Sequence, residues 1–501
     1  MPSQSSQTKL PGVGGLTAQL LREGCRLRLW ETALVGQASP PANCVAFSTI
    51  INRLPSEANE NYNLWAFLSL WGCGFITYWK VPEELRHHST VFLAILPEFN
   101  SHERIPSAKE LRQHWEARGY IFRDVGSHTS PTGIWGKTIA QSVDCSIIRE
   151  WLQFCKENHN AICVRPKAHL EQRVPGFRLI DCDTEAIIYS LWTVRYAALS
   201  YVWGTAKKTD WIFPKVVMHA IFVTRALGIR YIWVDRYCID QSNEAQKHDQ
   251  IAKMNLIYEG AEITIINTAG DNADSGLPGV GNEPRPPQPQ ASVRGMLLLG
   301  TLTSPQKYIT KSTWSNRGWT YQEGILSNRR LVFTKEQVYF ECRGMWMQET
   351  IHIPLVQFHT KTLKWLRTFI DSGLFTGFYK GRSTIPLRRS LQDILQEFNR
   401  HLQNYTLRKL SYPTDSLNAF AGILKEYSLY DKGTLSSIFG LPVIRSSYPE
   451  LIGSLAYSIC TWHHESDSNP SLGKRIQELP SWMGVHLNTW RCVRLSTDLT
   501  K

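Results

Sequence analysis

The sequence predicts an α/β fold: a parallel sheet covered by helices, preceded by a mixed N-terminal region and followed by a largely helical one. Two observations carry that prediction. From Tyr196 to Gly270, short apolar and aromatic runs alternate with segments of helical periodicity. Each apolar run then meets a residue suited to a sharp exit, namely Gly204, Asp235 and Gly270. Strand, helix, strand, helix, strand is the order that builds a parallel sheet. In such sheets ligands bind beyond the carboxyl ends of the strands, so these exits are the first places to look for chemistry.

Taken in order, the residues at 194–202 are aromatic and β-branched and read as a strand. Lys215–Leu227 places Val216, Val217, Ala220, Ile221, Thr224 and Leu227 on one helical face, and Gly228 ends it. Arg230–Val234 is the second strand, with Asp235 at its end. Ser242 or Asn243 caps the next helix, whose apolar face is Ile251, Met254, Ile257 and Tyr258. Ile263–Ile266 is the third strand. Upstream, Phe177–Asp183 is a strand running into an Asp-rich turn, with Tyr196–Tyr201 as its hairpin partner; Asp181 and Asp183 suit turn capping better than a shared acid–base role. Downstream, 271–295 is too dense in Pro and Gly for a regular element. Its start reads as a loop over the sheet's carboxyl edge, and 281–290 as a mobile excursion. Trp314–Leu326 then reads as one helix, followed by strands Arg330–Thr334 and Gln337–Glu341. On a single helix, Arg317 and Glu323 lie too far apart around the axis to pair.

These elements divide the chain into a flexible tail at 1–15, a mixed α+β region at 16–170, the α/β domain at 171–349 with the 271–295 loop inserted, and a mostly helical region at 350–501. In the first region Leu16–Trp30 reads as helix, the capping box at Ser107 and Glu110 starts a helix running to about Arg118, and 121–143 reads as loop. Asp144 or Ser146 caps a helix carrying Ile147, Ile148, Trp151, Leu152 and Cys155. In the last region Thr360–Ile370, Ser390–Leu402 and Asp415–Tyr427 read as helices, Asp415 capping the third, before a tail of short strands or loops around Trp482 and Trp490. Leu64–Trp79 is almost wholly apolar, but Asn61, Asn63 and Lys80 bound it and Gly72 and Gly74 interrupt it. A membrane span wants about 20 apolar residues, so a buried helix or strand pair is the preferred reading of 64–79, with a membrane-inserting element as the alternative.

Composition narrows the classes. With 501 residues and a high aromatic content the chain has material for a large core and for interfaces. A formal charge of +12 without any run of five basic residues gives a mildly basic surface and no sequence-specific nucleic-acid face. Eleven cysteines without regular spacing are not a disulfide framework. Together with a polar N-terminus lacking an apolar signal core, they fit a reducing, cytoplasmic setting. Phosphate-loop, dinucleotide-fingerprint, zinc-protease and nucleophile-elbow motifs are absent from the sequence.

Some residues invite chemistry. Cys155, His159 and Cys163 fall four apart, on one face if the helix persists. Thiolates and imidazole suit zinc. A fourth ligand is not evident, since Cys182 is the only nearby sulfur, so no metal is expected and the three read as packed core residues. Asp235 at a strand end suits either a ribose hydroxyl or a turn cap. Glu244, in a first helical turn, and Glu323 are the carboxylates to test as catalytic groups in nucleotide cleavage. Tyr201 and Trp203 flank Gly204, where aromatics either stack a base or pack the core. Cys238 has no evident His partner.

Three ordered motifs resemble the fungal heterokaryon incompatibility (HET) domain over about 178–345. The first is carried by Tyr196, Leu199, Ser200, Tyr201, Trp203 and Gly204. The second runs from Gly228-Ile229 through Tyr231–Asp235, Cys238-Ile239, Gln241, Glu244, Gln250, Met254, Ile257-Tyr258 and Ala261. The third is Arg317–Glu323, which includes Trp319 and Gln322, followed by Arg330 and Phe333. Gly276–Gly279 and the upstream Trp151, Cys155, His159, Cys163 run are similar too, and Tyr405–Ile423 and Pro480–Trp482 more loosely so, with Gly484 where a second Trp is usual. The resemblance implies a fold distantly like Toll/interleukin-receptor domains and a role in programmed cell death when unlike hyphae fuse. Together with the high aromatic content it favours protein partners, including self-association; no cofactor is expected. It does not assign catalytic residues. An NAD-cleaving enzyme, with NAD as substrate, and a specialised biosynthetic enzyme are the alternatives on the same fold.

Overall fold

A computed structural model describes residues 119–429, apart from 125–133, 161, 164–173, 192, 205–212, 294–295, 361–364, 367–372 and 376–390, together with strands at 26–28, 64–68, 92–97, 435–438, 441–444, 462–464 and 490–492. The ordered centre runs α1 (Cys145–Asn158), β1 (Arg178–Asp181), β2 (Ile187–Tyr189), β3 (Tyr196–Ser200), α2 (Lys215–Ala226), β4 (Tyr231–Val234), α3 (Glu244–Ala252), α4 (Met254–Gly260) and β5 (Ile263–Asn267). It continues with α5 (Gly318–Leu326), β6 (Arg329–Phe333), β7 (Val338–Cys342), β8 (Trp346–Gln348), α6 (Leu391–Thr406) and α7 (Asn418–Leu429).

The eight strands form one sheet in the order β8-β7-β6-β5-β3-β4-β1-β2. All five residues of β3 are buried, as expected of a strand with a neighbour on each side and a layer on each face. It pairs in parallel with β4, Leu199 opposite Val234, and with β5, Ser200 opposite Ile266. β5 pairs in parallel with β6. Only these four central strands are parallel. β7 and β8 add antiparallel on one side, and β1 and β2 on the other. The sheet is therefore mixed. The expected hairpin of the Phe177 strand with β3 is not formed: both edges of β3 are taken, and β1 instead joins the free edge of β4. There Asp181 accepts a 2.7 Å hydrogen bond from Arg230.

Side chains alternate between two layers. On one face Ile263 and Ile265 of β5, Leu331 and Phe333 of β6 and Phe340 and Cys342 of β7 share a core with Trp151, Leu152 and Cys155 of α1. On the other, Ile266, Val332 and Tyr339 pack with Tyr321 and Ile325 of α5 and with Phe398, Leu402, Phe420 and Ile423 of α6 and α7. Helix starts follow the capping chemistry. Asp144 accepts from Ser146 N–H before α1, and Asn243 from Gln246 N–H before α3. The helix expected to run on from Asn243 breaks at Lys253 into α3 and α4.

Other expectations shift. Residues 121–143 contain strands Ile121–Arg123 and Trp135–Gly136. Leu64–Leu68, the start of the apolar 64–79 block, is a strand paired antiparallel with Phe92–Pro97, and 69–79 lies outside the described residues. Gln290–Val293 at the end of the Pro-rich span is a strand as well, and with Met296–Gly300 it joins an antiparallel six-stranded sheet built from the N-terminal strands. Within the expected helix Leu16–Trp30, Arg26–Arg28 is a strand, and within Thr360–Ile370 the described residues are in short strands. After α7 the described residues form short strands, so the C-terminal region is helical only in part. The tail at 1–15, the helix from Ser107 to Arg118 and Pro480–Trp482 lie outside the described residues. Among the described residues no helix is long and apolar enough to cross a membrane.

The expected excursion at 281–290 is pinned rather than mobile. Arg285 and Glu349 are 3% and 4% exposed and meet at 2.6 Å, and the guanidinium also donates to Ala140 O at 2.8 Å. Breaking a buried pair from one side strands the other charge, which costs about 3–5 kcal/mol. Arg285→Met is expected to destabilise the chain by about that much in urea unfolding, and adding Glu349→Gln to recover part of it.

Candidate functional site

The strand order reverses direction between β3 and β5, which is where open α/β sheets hold ligands, beyond the strand ends. After Ser200 the chain continues through buried Tyr201 and half-buried Trp203 to Gly204. Gly204 has φ of +64°, and a Cβ there would lie 2.5 Å from Asn272 Cβ, so both the turn and the overlying loop require glycine. That loop is held down by Asn267 Nδ2, which donates to Ser275 O at 3.2 Å, and by Ala273 N–H, which donates to Trp203 O at 3.2 Å.

Around this exit the structure gathers side chains from all three motifs. Trp203 Nε1–H donates to both oxygens of Asp235, at 3.2 and 3.0 Å. Ser200 Oγ donates to Glu323 Oε2 at 2.5 Å and accepts from Trp314 Nε1 at 2.7 Å. Tyr258 donates to Leu199 O at 3.3 Å, beside the Glu323 carboxylate. Burial pushes the pKa of Asp235 up to about 7, aided by the nearby charge of Glu323, against hydrogen bonds from Arg236 N–H and Trp203 and the positive charge of Arg317. Burial also raises Glu323, in spite of the bond from Ser200, the charge of Arg317 and the nearby Tyr258 hydroxyl. Among the described residues the buried Tyr201 hydroxyl has no hydrogen-bond partner, and burial first, then Asp235, raise its pKa. Two neighbouring carboxyl groups held above their ordinary range at the strand ends are a candidate site on physical grounds.

The third motif faces two ways. Arg317 is not on the helix; its backbone is extended, φ −90° and ψ 140°, between the short 3-10 turn Trp314–Asn316 and α5. Its positive charge lies near enough to Asp235 and Glu323 to lower both carboxyl pKa values, which places it with them rather than on a separate helical face. Trp319 Nε1–H donates to Asp415 at 3.2 Å, Tyr321 bonds His401 at 2.8 Å, and Gln322 accepts from Gly422 N–H at 3.2 Å. Asp415 sits in a 3-10 turn before α7. Trp319 and Gln322 thus dock the C-terminal helices, while Arg317 and Glu323 serve the strand-end group.

Two expected residues stand apart from that group. Glu244 is exposed at the start of α3, where it pairs with Lys247 at 3.4 Å. Gln241 is exposed in the preceding turn and donates to Ile239 O at 3.4 Å. Cys238 is buried and accepts from Val234 N–H at 3.3 Å. Sequence reasoning missed the roles of Ser200, Tyr258 and Trp314. The available signal was Ser200 itself, a hydroxyl ending an otherwise apolar strand. Away from this group, Cys155, His159 and Cys163 do converge, and the missing partner is Cys342 on β7, not Cys182. A cavity of about 620 Å³ lies beside α1, lined by Trp151, Phe154, Met347 and His352 among others, and it contains none of the strand-end residues.

Fold and site together define an α/β domain with a largely buried acidic, aromatic cluster at the carboxyl edge of its parallel core. Residues 196–323 match the family model described as Heterokaryon incompatibility protein (HET), from the first residue of β3 to Glu323, and the chain carries that domain. No curated protein and no solved structure matches.

A carboxyl group with a raised folded pKa favours the folded state most at low pH, and that contribution is lost as pH rises through its folded value. For Asp235 the window runs from 3.8 to about 7. Asp235→Asn is expected to flatten the pH dependence of stability across that window. It should also stabilise the chain at pH 8 by roughly 1–2 kcal/mol, discounted for the partial exposure of the residue, as read by urea unfolding at about pH 5 and pH 8.

Proposed function

We propose that this protein is a heterokaryon incompatibility-type, cytoplasmic module for non-self recognition and regulated cell death that works through protein contacts, including contacts with its own copies. Its family match supports the general reading. The observation that favours protein contact is the edge of the sheet, which no strand among the described residues covers. Beyond β1 the last strand, β2, is followed by Ser190, and Ile187, Tyr189 and Leu191 are 42%, 73% and 74% exposed. These alternate residues present an apolar row next to unpaired strand backbone, a combination that recruits another chain by strand addition. Replacing Tyr189 and Leu191 together with Lys adds charge to that row without touching the core. The expected outcome is loss of toxicity on expression of the full chain in a fungal host. Self-association in light scattering should fall about tenfold or more, with stability changed by less than about 0.5 kcal/mol. A variant that kills and associates like the parent removes the reading.

A second reading, nucleotide cleavage with NAD as substrate, is favoured by the Asp235–Glu323 pair beside the unpartnered Tyr201 hydroxyl and half-buried Trp203. In it the N-glycosidic bond breaks, nicotinamide leaves with the bonding pair, and water adds to the sugar carbon. Incubating the purified chain with NAD and following nicotinamide tests this. Glu323→Gln is expected to lower release by about 100-fold or more, and Glu244→Ala to leave it unchanged. No release from any assembled state rules it out.

A further inference from the structure

We propose that Cys155, His159, Cys163 and Cys342 form a structural zinc site that fastens the segment before the HET domain to the strand after it. The four ligand atoms all lie within 4.8 Å of one another, and all four residues are buried. Cys342 Sγ is 3.3 Å from His159 Nδ1, which marks that nitrogen as the one facing the sulfurs. Tetrahedral zinc with three thiolates and one imidazole holds its ligand atoms about 3.5–3.8 Å apart, so small side-chain adjustments close the shell.

Local structure builds this arrangement. Cys155 lies in the last turn of α1 and His159 is its C-cap residue. Cys163 N–H donates to His159 O at 2.8 Å, which continues the turn by one more helical step and keeps the three residues on one side. Cys342 ends β7 on the face that packs against α1. Gly344 follows in a tight turn. Its N–H donates to Cys342 Sγ at 3.3 Å, and a Cβ there would lie 2.7 Å from the His159 ring. An N–H donor to a thiolate sulfur and a close backbone approach to the ligand imidazole are supports of the kind that orient metal ligands.

Charge balance is an independent pointer. Arg329 is buried and, among the described residues, makes no ion pair with a carboxylate. Its Nε donates to Cys155 Sγ at 3.1 Å and its Nη1 to Glu262 O at 3.1 Å, while the Glu262 carboxylate is engaged by Arg195 and Lys156. A buried guanidinium needs an anion beside it. Three thiolates, one neutral imidazole and Zn²⁺ carry a net charge of −1, which Arg329 cancels. His159 is buried with its Nδ1 toward the Cys342 sulfur, the side from which an imidazole would ligate. Binding releases the three thiol protons to solvent. A closed shell with no ligand position open to water is the structural kind of zinc site rather than the catalytic kind.

The test uses the full chain purified without chelator. Elemental analysis should give one zinc per chain. The cobalt-substituted protein should show the intense visible bands of a tetrahedral thiolate site. Cys342→Ser and Cys163→Ser should lower zinc affinity about tenfold or more, whereas Cys182→Ser, a buried thiol outside the cluster, should leave it unchanged. Should a ligand variant not fold, the cobalt spectrum of the parent chain decides the question. Failure to take up zinc or cobalt, a weak octahedral cobalt spectrum, or a disulfide among the four residues found by non-reducing mass spectrometry overturns the proposal.

Discussion

The hydroxyl of Ser200 holds the motifs together. It lies on the central strand, inside a layer where an unsatisfied polar group costs about 1–3 kcal/mol, and it has two partners, the indole of Trp314 and the carboxylate of Glu323. Both partners come from the segment around the third motif, so satisfying one serine fixes where α5 sits against β3. Glu323 is thereby carried into the interior. Its hydrogen bonds only partly offset its burial, and its charge helps to raise the neighbouring Asp235. The electrostatics of the strand-end group thus follow from a packing requirement on β3.

The same economy explains why the third motif is long and mixed in character. Its residues alternate between duties because consecutive positions on a helix point in different directions. Trp319 and Gln322, one turn apart, reach α7 and the turn before it, while Thr320 and Glu323 point back toward Trp314 and Ser200. Arg408 lies 4.6 Å over the Tyr321 ring and also donates to Thr320. A change in the C-terminal helices is therefore mechanically connected to the strand-end group through one short helix.

The central strands and α2 were legible in the sequence because each is a periodic apolar run ended by Gly or a polar residue. The convergence of Asp235, Tyr201, Trp203 and Glu323 was legible at the level of strand ends. What was not legible has specific causes. Reading 314–326 as one helix put Arg317 on the wrong side, because a 3-10 turn and an extended residue look helical in composition. The mixed edges of the sheet depended on which neighbours had free edges, a property of the assembled sheet and not of any one strand. Glu244 met the rule for a first-turn carboxylate, and that stabilisation at the helix end accounts for it without the strand-end group. Cys342 was invisible as a partner of Cys155, His159 and Cys163 because its run, Val338–Cys342, reads only as a buried strand; its sulfur acquires a meaning once β7 lies against α1.

The family match ends at Glu323, but the physics does not. The outer neighbour of β5 is β6, and the face of α5 bearing Tyr321 is covered by α6 and α7, both beyond the matched residues. Taken alone, 196–323 would leave a fully buried parallel strand with an open edge, and a helix with its apolar face in water. On the other side of the sheet, α1 covers β7 by packing Trp151 against Phe340 at 6.1 Å. The matched core of this chain is thus completed by sequence on both sides of the matched residues. Both flanks are structural members of the domain, α1 through its packing on β7 and the C-terminal helices through α5.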